Sequence, residues 1–293
     1  MKIVIGMPAF NESKKIAGII NKIKTISNNI IVCNDGSTDS TGLIAQKTGV
    51  IVINHEKNLG YGAAINSIFS KAREIESDIL VTFDADGQHK SNDIRSIIQP
   101  IIDKKADIVI GSRFLNNEIS IPKYRKLGIK TITSLTNMSS EIKLTDSQSG
   151  FRAYNKKTLS EIYPTEKGMG ISTEILIKAN KKKLRINEVP IKILYQGKTS
   201  THNPISHGVS VILSTTKFIS IERPLTFYGI PGIIFLIIGL VFVGWTIQYF
   251  TEFGVFQPVL ALLAIGLTLF GLMFVLTSII LFSLIHVIRE QKQ

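Results

Sequence analysis

From Pro224 to Ile288 the chain carries one formally charged side chain, Glu252, and no Lys or Arg. Two uncharged runs lie inside this stretch, Leu225–Phe250 and Val259–Ile288. Each exceeds the roughly 20 apolar residues that a membrane-spanning helix requires. Runs of that length are hard to house in the core of a 293-residue chain, so the expectation is a transmembrane hairpin rather than two buried helices. The connector Thr251–Pro258 is short and has no cation, whereas Lys217 and Arg223 precede the first run and Arg289 and Lys292 follow the second. Cationic flanks stay inside, which places both ends of the chain in the cytoplasm and the connector outside. Trp245, Tyr249 and Phe250 read as interfacial aromatics at the outer end. Upstream, His207–Glu222 mixes Val, Ile and Phe with Ser and Thr. It reads as an amphipathic segment along the membrane surface, or as the last helix of the soluble part.

The four charged residues after Arg223 cancel, so the whole net charge of +12 lies on the N-terminal portion. Such a balance favours anionic headgroups or phosphorylated substrates, or is a solvated surface. Nucleic acid is not expected, because no basic run is interleaved with aromatics. Cys33 is the single cysteine, which excludes an internal disulfide and a cysteine metal cluster. The first apolar run, Ile3-Val4-Ile5, is too short for a secretory signal and leads into Pro8, so the N-terminal part is expected to be cytoplasmic.

That part alternates short β-rich runs with helical spacing. Strands are expected at Lys2–Met7, Asn29–Cys33, Val50–Asn54, Ile79–Phe83 and Asp107–Gly111. Helices are expected at Glu12–Ile26, with Ile16, Ile19, Ile20 and Ile23 on one face, and near Ser40–Thr48, Gly62–Ile75 and Asn92–Asp103. This alternation indicates βαβ units and a mostly parallel sheet. In such sheets ligands bind at the carboxyl ends of the strands.

The residues at those ends are chemically uneven. Strand one leads into Pro8-Ala9-Phe10-Asn11-Glu12, strand two into Asn34-Asp35-Gly36-Ser37-Thr38-Asp39, strand four into Asp84-Ala85-Asp86-Gly87-Gln88-His89, and strand five into Gly111-Ser112-Arg113. One acidic cluster alone would pass for a helix cap, as Ser37 or Asp39 can. Acids, amides and an Arg converging on one edge point to a shared ligand site. Asp84 and Asp86, two apart at a strand terminus, can offer hard oxygens to Mg²⁺ or Mn²⁺ and leave positions for phosphate oxygens. A cation held so neutralises a diphosphate leaving group. Gly197-Lys198-Thr199 lacks the leading glycine of a P-loop, and Gly60-Tyr61-Gly62 lacks the third glycine of a dinucleotide fingerprint; the latter is expected to shape a loop beside the nucleotide.

In order and spacing, the segments PAFNE, NDGSTD, DADGQH and GSR resemble family 2 glycosyltransferases of GT-A fold. The nearer likeness is to polyprenyl-phosphate hexosyltransferases of the dolichol-phosphate mannose synthase type. It covers residues 1–205 and includes Ser149-Gly150-Phe151-Arg152, Glu174 and Glu188-Val189-Pro190. The resemblance implies an α/β, Rossmann-like GT-A catalytic domain over 1–205; the apolar patterning adds an amphipathic interfacial segment over 206–223 and a transmembrane hairpin with a short tail over 224–293, similar to the membrane appendages many of these enzymes carry. The resemblance also implies that Pro8, Phe10, Glu12, Cys33 (through its backbone), Asp35, Asp84, Ala85 and Asp86 hold the nucleotide sugar. Asp84, Asp86 and Gln88 match the metal site, and Arg113 matches a basic residue near the transferred sugar and the acceptor phosphate. Asp86 and Arg113 are thereby the residues expected to carry the chemistry. Arg125 and Lys126 approximate a second basic pair, and Lys198, His202 and His207 are candidates for a basic residue before the membrane segments.

The implied reaction is metal-dependent, inverting transfer of one hexose from a nucleotide-diphosphate sugar to dolichyl or polyprenyl phosphate, giving a lipid-linked sugar donor for glycosylation. UDP-glucose, UDP-N-acetylglucosamine and GDP-mannose all remain open as donors, with a slight lean towards a UDP-sugar. One alternative, a processive polysaccharide synthase, would carry Q-x-x-R-W, but the single tryptophan, Trp245, is intramembrane and not preceded by Arg. Another, a non-catalytic nucleotide-sugar-binding membrane protein, would tolerate degraded acidic motifs, and these are intact.

Overall fold

The computed structural model describes residues 1–115, 123–140, 143–192, 216, 220–221 and 223–290. The expected segment 206–223 therefore lies almost wholly outside the described residues, as do Lys198, His202 and His207. The chain divides into two compact units, Met1–Thr215 and Thr216–Gln293.

In the first unit the apolar runs become strands β1 (Ile3–Ala9), β2 (Ile30–Asp35), β3 (Ile51–His55), β4 (Ile79–Thr82) and β5 (Ile108–Ser112). Between them lie α1 (Ile16–Lys24), α2 (Thr41–Lys47), α3 (Tyr61–Glu74) and α4 (Asp93–Ile102). There follow α5 (Lys123–Ser140), β6 (Arg152–Asn155), α6 (Lys156–Glu161), α7 (Ile171–Lys181) and β7 (Ile186–Pro190). The sheet order is β3-β2-β1-β4-β6-β5-β7. All neighbours are parallel except β6, which runs antiparallel to both β4 and β5.

Alternation along the strands builds two cores. Ile5, Met7, Val32, Val81 and Val109 face α1 and α4, where Ile16, Ile20, Ile23, Ile94 and Ile97 are buried. Val4, Ile31, Cys33, Leu80 and Ile110 face the other way, onto Ile65, Ile68 and Phe69 of α3 and Ile171, Ile175 and Leu176 of α7. Burial on both faces explains why these strands read as unbroken apolar runs.

The expected end of the first strand needs correction, since β1 continues through Pro8 to Ala9, with Pro8 beside Cys33. Ile5 N–H donates towards β2, to Asn29 O; by alternation, position 8 points its missing donor towards β4. The β1–β4 ladder has already ended at Gly6–Thr82, so proline forfeits no sheet bond there.

The second unit holds a π-helical turn, Leu225–Gly229, then α8 (Ile230–Phe253) and α9 (Pro258–Glu290). Two stretches, Leu225–Phe253 and Pro258–Ile288, are long and apolar enough to cross a membrane. The helices meet along a narrow seam. A Cβ on Gly239 would lie 2.5 Å from Thr268 Oγ1 and 2.7 Å from its backbone N, so the missing side chain is what lets the backbones approach. Outside the seam, Ile233, Ile237, Leu240, Leu262 and Met273 are exposed. An all-round apolar surface of this kind suits hydrocarbon, not water. Gly254, in the left-handed region at φ 65°, ends α8.

Candidate active site

The reversed direction of β6 decides what meets what. Parallel strands β1, β2, β4 and β5 all finish at one edge of the sheet, and the antiparallel strand begins there. The chain just before β6, from Asp146 to Phe151, is thus delivered to the edge where Asp84, Asp86 and Arg113 emerge.

On the β2 side, Asp35 is almost wholly buried. Its Oδ1 accepts from His55 Nδ1 at 2.6 Å and from Leu59 N–H at 3.0 Å, and its Oδ2 accepts from Gly60 N–H at 2.9 Å. The Gly60 turn therefore shapes a loop, as expected, by turning two amides onto one carboxylate. Cys33 points into the α3 layer; burial, and then the neighbouring Asp35 charge, push its thiol up to about 12. The turn after β2 is laced to the turn after β1. Asn11 N–H donates to Ser37 Oγ at 3.0 Å, Glu12 N–H donates to Thr41 Oγ1 at 2.8 Å, and Asn11 Oδ1 accepts from Thr38 N–H at 2.9 Å. Desolvation opposes ionisation of Asp39, but hydrogen bonds from Thr41 and Ser13 win and hold it at about 2.

At the end of β4, Asp84 accepts from Tyr61 Oη at 3.3 Å and lies 3.4 Å from His89 Nε2. His89 packs between Phe83 and Phe151, with ring centroids at 5.7 and 4.9 Å. Asp86 Oδ1 accepts from Gln88 N–H at 2.9 Å. Burial, and next the charge of Asp84, raise the Asp86 carboxyl above its usual range. Burial also raises Glu12, with Lys15 opposing and Asp86 adding to the shift. Acidic side chains crowd this edge without offsetting each other's charge.

These residues suit a divalent cation by several observations. Two hard carboxylates stand two positions apart, and burial, with repulsion from Asp84 next, raises Asp86. Gly150 leaves room beside the pair: a Cβ there would sit 2.9 and 3.1 Å from the two Asp84 oxygens. Among the described residues no group of three or more His, Cys, Asp or Glu closes around one point. A cation here would complete its shell with oxygens from outside the chain.

On the β5 side, Arg113 is clasped bidentately by Asp146, Nε to Oδ2 at 2.6 Å and Nη2 to Oδ1 at 2.7 Å. Asp146 is fully buried and also takes the Arg113 N–H at 3.2 Å. Beside this pair lies a cleft of about 400 Å³ lined by Phe114, Lys130, Thr133, Ser134, Asn137, Leu144 and Thr145. Lys130, Thr133, Ser134 and Asn137 share one face of α5, a spacing visible in the sequence but without a strand-end motif to flag it. Lys126 is exposed on the same helix, only the backbone of Arg125 is described, and Lys198 lies outside the described residues. A groove of about 540 Å³ between β3 and α3 carries none of the strand-end acids.

Two motif residues turn out to be struts. Arg152 is fully buried and donates to the carbonyls of Ser147, Ser149 and Ser172 at 2.6, 2.8 and 2.9 Å. Glu174 accepts from Thr165 and Glu166 N–H groups and pairs with Lys178 at 2.7 Å. Desolvation opposes its ionisation, but Lys178 and Thr165 lower it overall.

The sequence profile described as Glycosyl transferase family 2 matches residues 4–163. A UDP-N-acetylglucosamine–dolichyl-phosphate N-acetylglucosaminyltransferase of Methanococcus voltae is 36% identical over 234 residues, covering 72% of this chain and 91% of that one. A dolichyl-phosphate hexose transferase of Haloferax volcanii is 27% identical over 223 residues, covering 75% and 95%. Among solved structures, glucosyl-3-phosphoglycerate synthase of Mycobacterium tuberculosis, in complex with Mn²⁺, UDP and phosphoglyceric acid, superposes with a TM-score of 0.59 at 18% identity, covering 74% and 78%. That likeness establishes the GT-A architecture.

Proposed function

The chain belongs to glycosyl transferase family 2, and on that premise we propose that it moves one hexose from a UDP-sugar to dolichyl or another polyprenyl phosphate. The observation that carries the reading is the meeting, at one sheet edge, of Asp35, the Asp84–Asp86 pair and the Arg113–Asp146 clasp. A neutral acceptor would need a carboxylate base; a phosphomonoester, with a second pKa of about 6, is already largely ionised. The task left to the chain is to place two anions together and offset their repulsion. Arg113, with Lys130 in the neighbouring cleft, does so on the acceptor side. Asp84 and Asp86 would hold Mg²⁺ or Mn²⁺, with Gln88 beside them, and the cation would neutralise the leaving diphosphate. By family resemblance the displacement is direct and inverts the anomeric carbon. Pro8, Phe10, Glu12, Cys33 and Ala85 surround the nucleotide in this reading.

Asp35 supports uridine over guanosine. A carboxylate offers about four acceptor positions, and His55, Leu59 and Gly60 fill three of them. The one left on Oδ2 matches the single imide N–H of uracil, whereas guanine presents two adjacent donors. The 36% identical relative, named for UDP-N-acetylglucosamine, makes that sugar the first donor to test. Residues 1–205 would be the catalytic domain, 206–223 an interfacial segment and 224–293 the anchor, with both termini cytoplasmic.

Membranes containing the full chain, incubated with dolichyl phosphate and radiolabelled UDP-N-acetylglucosamine, UDP-glucose or GDP-mannose, with and without EDTA, test the reading. Label from a UDP-sugar should enter an organic-extractable lipid, and EDTA should stop it. Transfer from GDP-mannose alone overturns the uridine assignment. Hydrolysis indifferent to lipid phosphate overturns the acceptor.

A further inference from the structure

Strand β7 lies parallel to β5, with Glu188 beside Ile110 and Pro190 beside Ser112. The Glu188 carboxylate accepts three hydrogen bonds. Thr145 N–H and Thr145 Oγ1 reach Oε2 at 2.8 and 3.0 Å, and Asp146 N–H reaches Oε1 at 2.9 Å. The Thr145 hydroxyl has one proton, and it is donated to the Glu188 carboxylate. The 2.6 Å contact between Thr145 Oγ1 and Ser112 Oγ is then donated by Ser112. Ser112 Oγ in turn accepts the Phe114 N–H at 3.1 Å. Ser112 and Phe114 flank Arg113, and Asp146 grips its guanidinium. These three holds on Arg113, through Ser112, Phe114 and Asp146, therefore trace to one carboxylate on the next strand.

We propose that Glu188 is a positioning residue for Arg113, setting the guanidinium towards the acceptor phosphate through Thr145, Ser112 and Asp146. This rests on the acceptor-phosphate reading of Arg113 given above. An acceptor-only group at the end of a hydroxyl chain fixes the direction of every bond in it. A glutamine there would present an N–H₂ to donors already committed, and the chain would lose its direction. Charged groups placed about 1 Å wrong cost up to about 100-fold in rate.

The test uses the full chain and compares Glu188→Gln, Thr145→Val and Arg113→Ala with the double variant E188Q/R113A. Glu188→Gln should lower kcat for transfer to dolichyl phosphate by roughly 10- to 100-fold and leave UDP affinity within about twofold, since no Glu188 bond touches the donor side. In the Arg113→Ala background the same change should cost almost nothing further, because coupled residues are not additive. A readout free of turnover is phenylglyoxal labelling of Arg113, followed by mass spectrometry, which should speed up in Glu188→Gln. Thr145→Val keeps the backbone bond to Glu188 and cuts the hydroxyl chain, so its loss should be intermediate. An equal factor in both backgrounds, or unchanged Arg113 labelling, overturns the proposal. If Glu188→Gln loses UDP binding as well, Thr145→Val decides: unchanged acceptor kinetics and unchanged labelling there overturn it. Failure of the functional reading shows separately, as a wild-type chain that labels no lipid phosphate, and the labelling comparison still decides the positioning role.

Discussion

Replacing Gly150 with alanine asks how tightly the acidic pair is held. A Cβ at position 150 would lie 2.5 Å from Tyr61 Oη and 2.9 and 3.1 Å from the oxygens of Asp84. Relaxed contact begins near roughly 3.5 Å, so the hydroxyl must retreat by about 1 Å and the carboxylate by about 0.5 Å. Tyr61 opens α3 and packs on the α3-side core, so its ring retreats only at a cost, and the Asp84 carboxylate that accepts from its hydroxyl is displaced with it. Overpacking of this size costs about 1–3 kcal/mol. In a unit of this length each kcal/mol lowers the melting midpoint by about 2–4 °C. The larger effect falls on transfer, where a displaced ligand carboxylate should reduce the rate by about 10- to 100-fold. Initial rates measured against Mn²⁺ concentration should show half-saturation moved to higher metal. Tyr61→Phe removes the nearest atom, so G150A/Y61F should recover part of the loss. A Gly150→Ala chain with more than half the wild-type rate and unchanged metal dependence would refute a rigidly placed Asp84.

Asp86→Asn should abolish most transfer yet raise the metal-free melting temperature at neutral pH. Burial, then Asp84, hold the folded carboxyl above its usual range, so its stability contribution declines as pH climbs from the unfolded value of about 4. Melts between pH 4 and 8 should show the variant's advantage growing with pH, and a constant gap would contradict this. Asp107 behaves oppositely: hydrogen bonds from Arg185 hold it at about 2, so its contribution is present above about pH 4 and lost as pH falls towards 2. Asp107→Asn should therefore flatten the acid limb of a stability–pH curve, and an unchanged limb would count against the pairing. For topology, a thiol probe on Val255→Cys should react from outside intact cells and one on Gln293→Cys only after permeabilisation. Cys33 should stay silent, being buried with its thiol pushed up to about 12; the reverse labelling pattern would invert the orientation.

Strands β1, β2, β4 and β5 and helices α1, α3 and α4 are legible because each buries an apolar run or stripe that repeats with its own period, whereas β3 and α2 are legible from their place in the alternation. The acidic edge is legible for the same reason: Asp35, Asp84 and Arg113 each follow such a run directly. What the pattern hides is adjacency. Strand β6 has four residues, and one of them, Arg152, is a fully buried guanidinium, so it shows neither an apolar run nor a clean alternation. Its insertion between β4 and β5 cannot be read locally, because strand order depends on pairing energies across the sheet. Asp146 lies 33 residues from Arg113 and Glu188 lies 42 from Asp146, so neither has a short-range signature. Arg152 and Glu174 show the converse: motif residues that satisfy buried backbone rather than face a ligand.

The same inserted strand links the two halves of the site. In the proposed reading, donor-side groups sit at the ends of β1, β2 and β4, and acceptor-side groups sit at the end of β5 with the cleft along α5. The turn from Asp146 to Gly150 touches both: Asp146 clasps Arg113, and Gly150 abuts Asp84. In the proposed reaction, the spacing between a developing diphosphate and an incoming phosphate would thereby be set by these five residues of chain. That turn is not free to stretch, because Arg152 binds the carbonyls of Ser147 and Ser149 from beneath and Glu188 holds the Asp146 amide from the side. A buried guanidinium satisfied by carbonyls is costly to disturb, since each bond lost leaves a polar group unpaired in the core. Reversing one strand thus converts two separate strand-end clusters into a single site of fixed width, with the rigidity supplied by residues that need never touch a substrate.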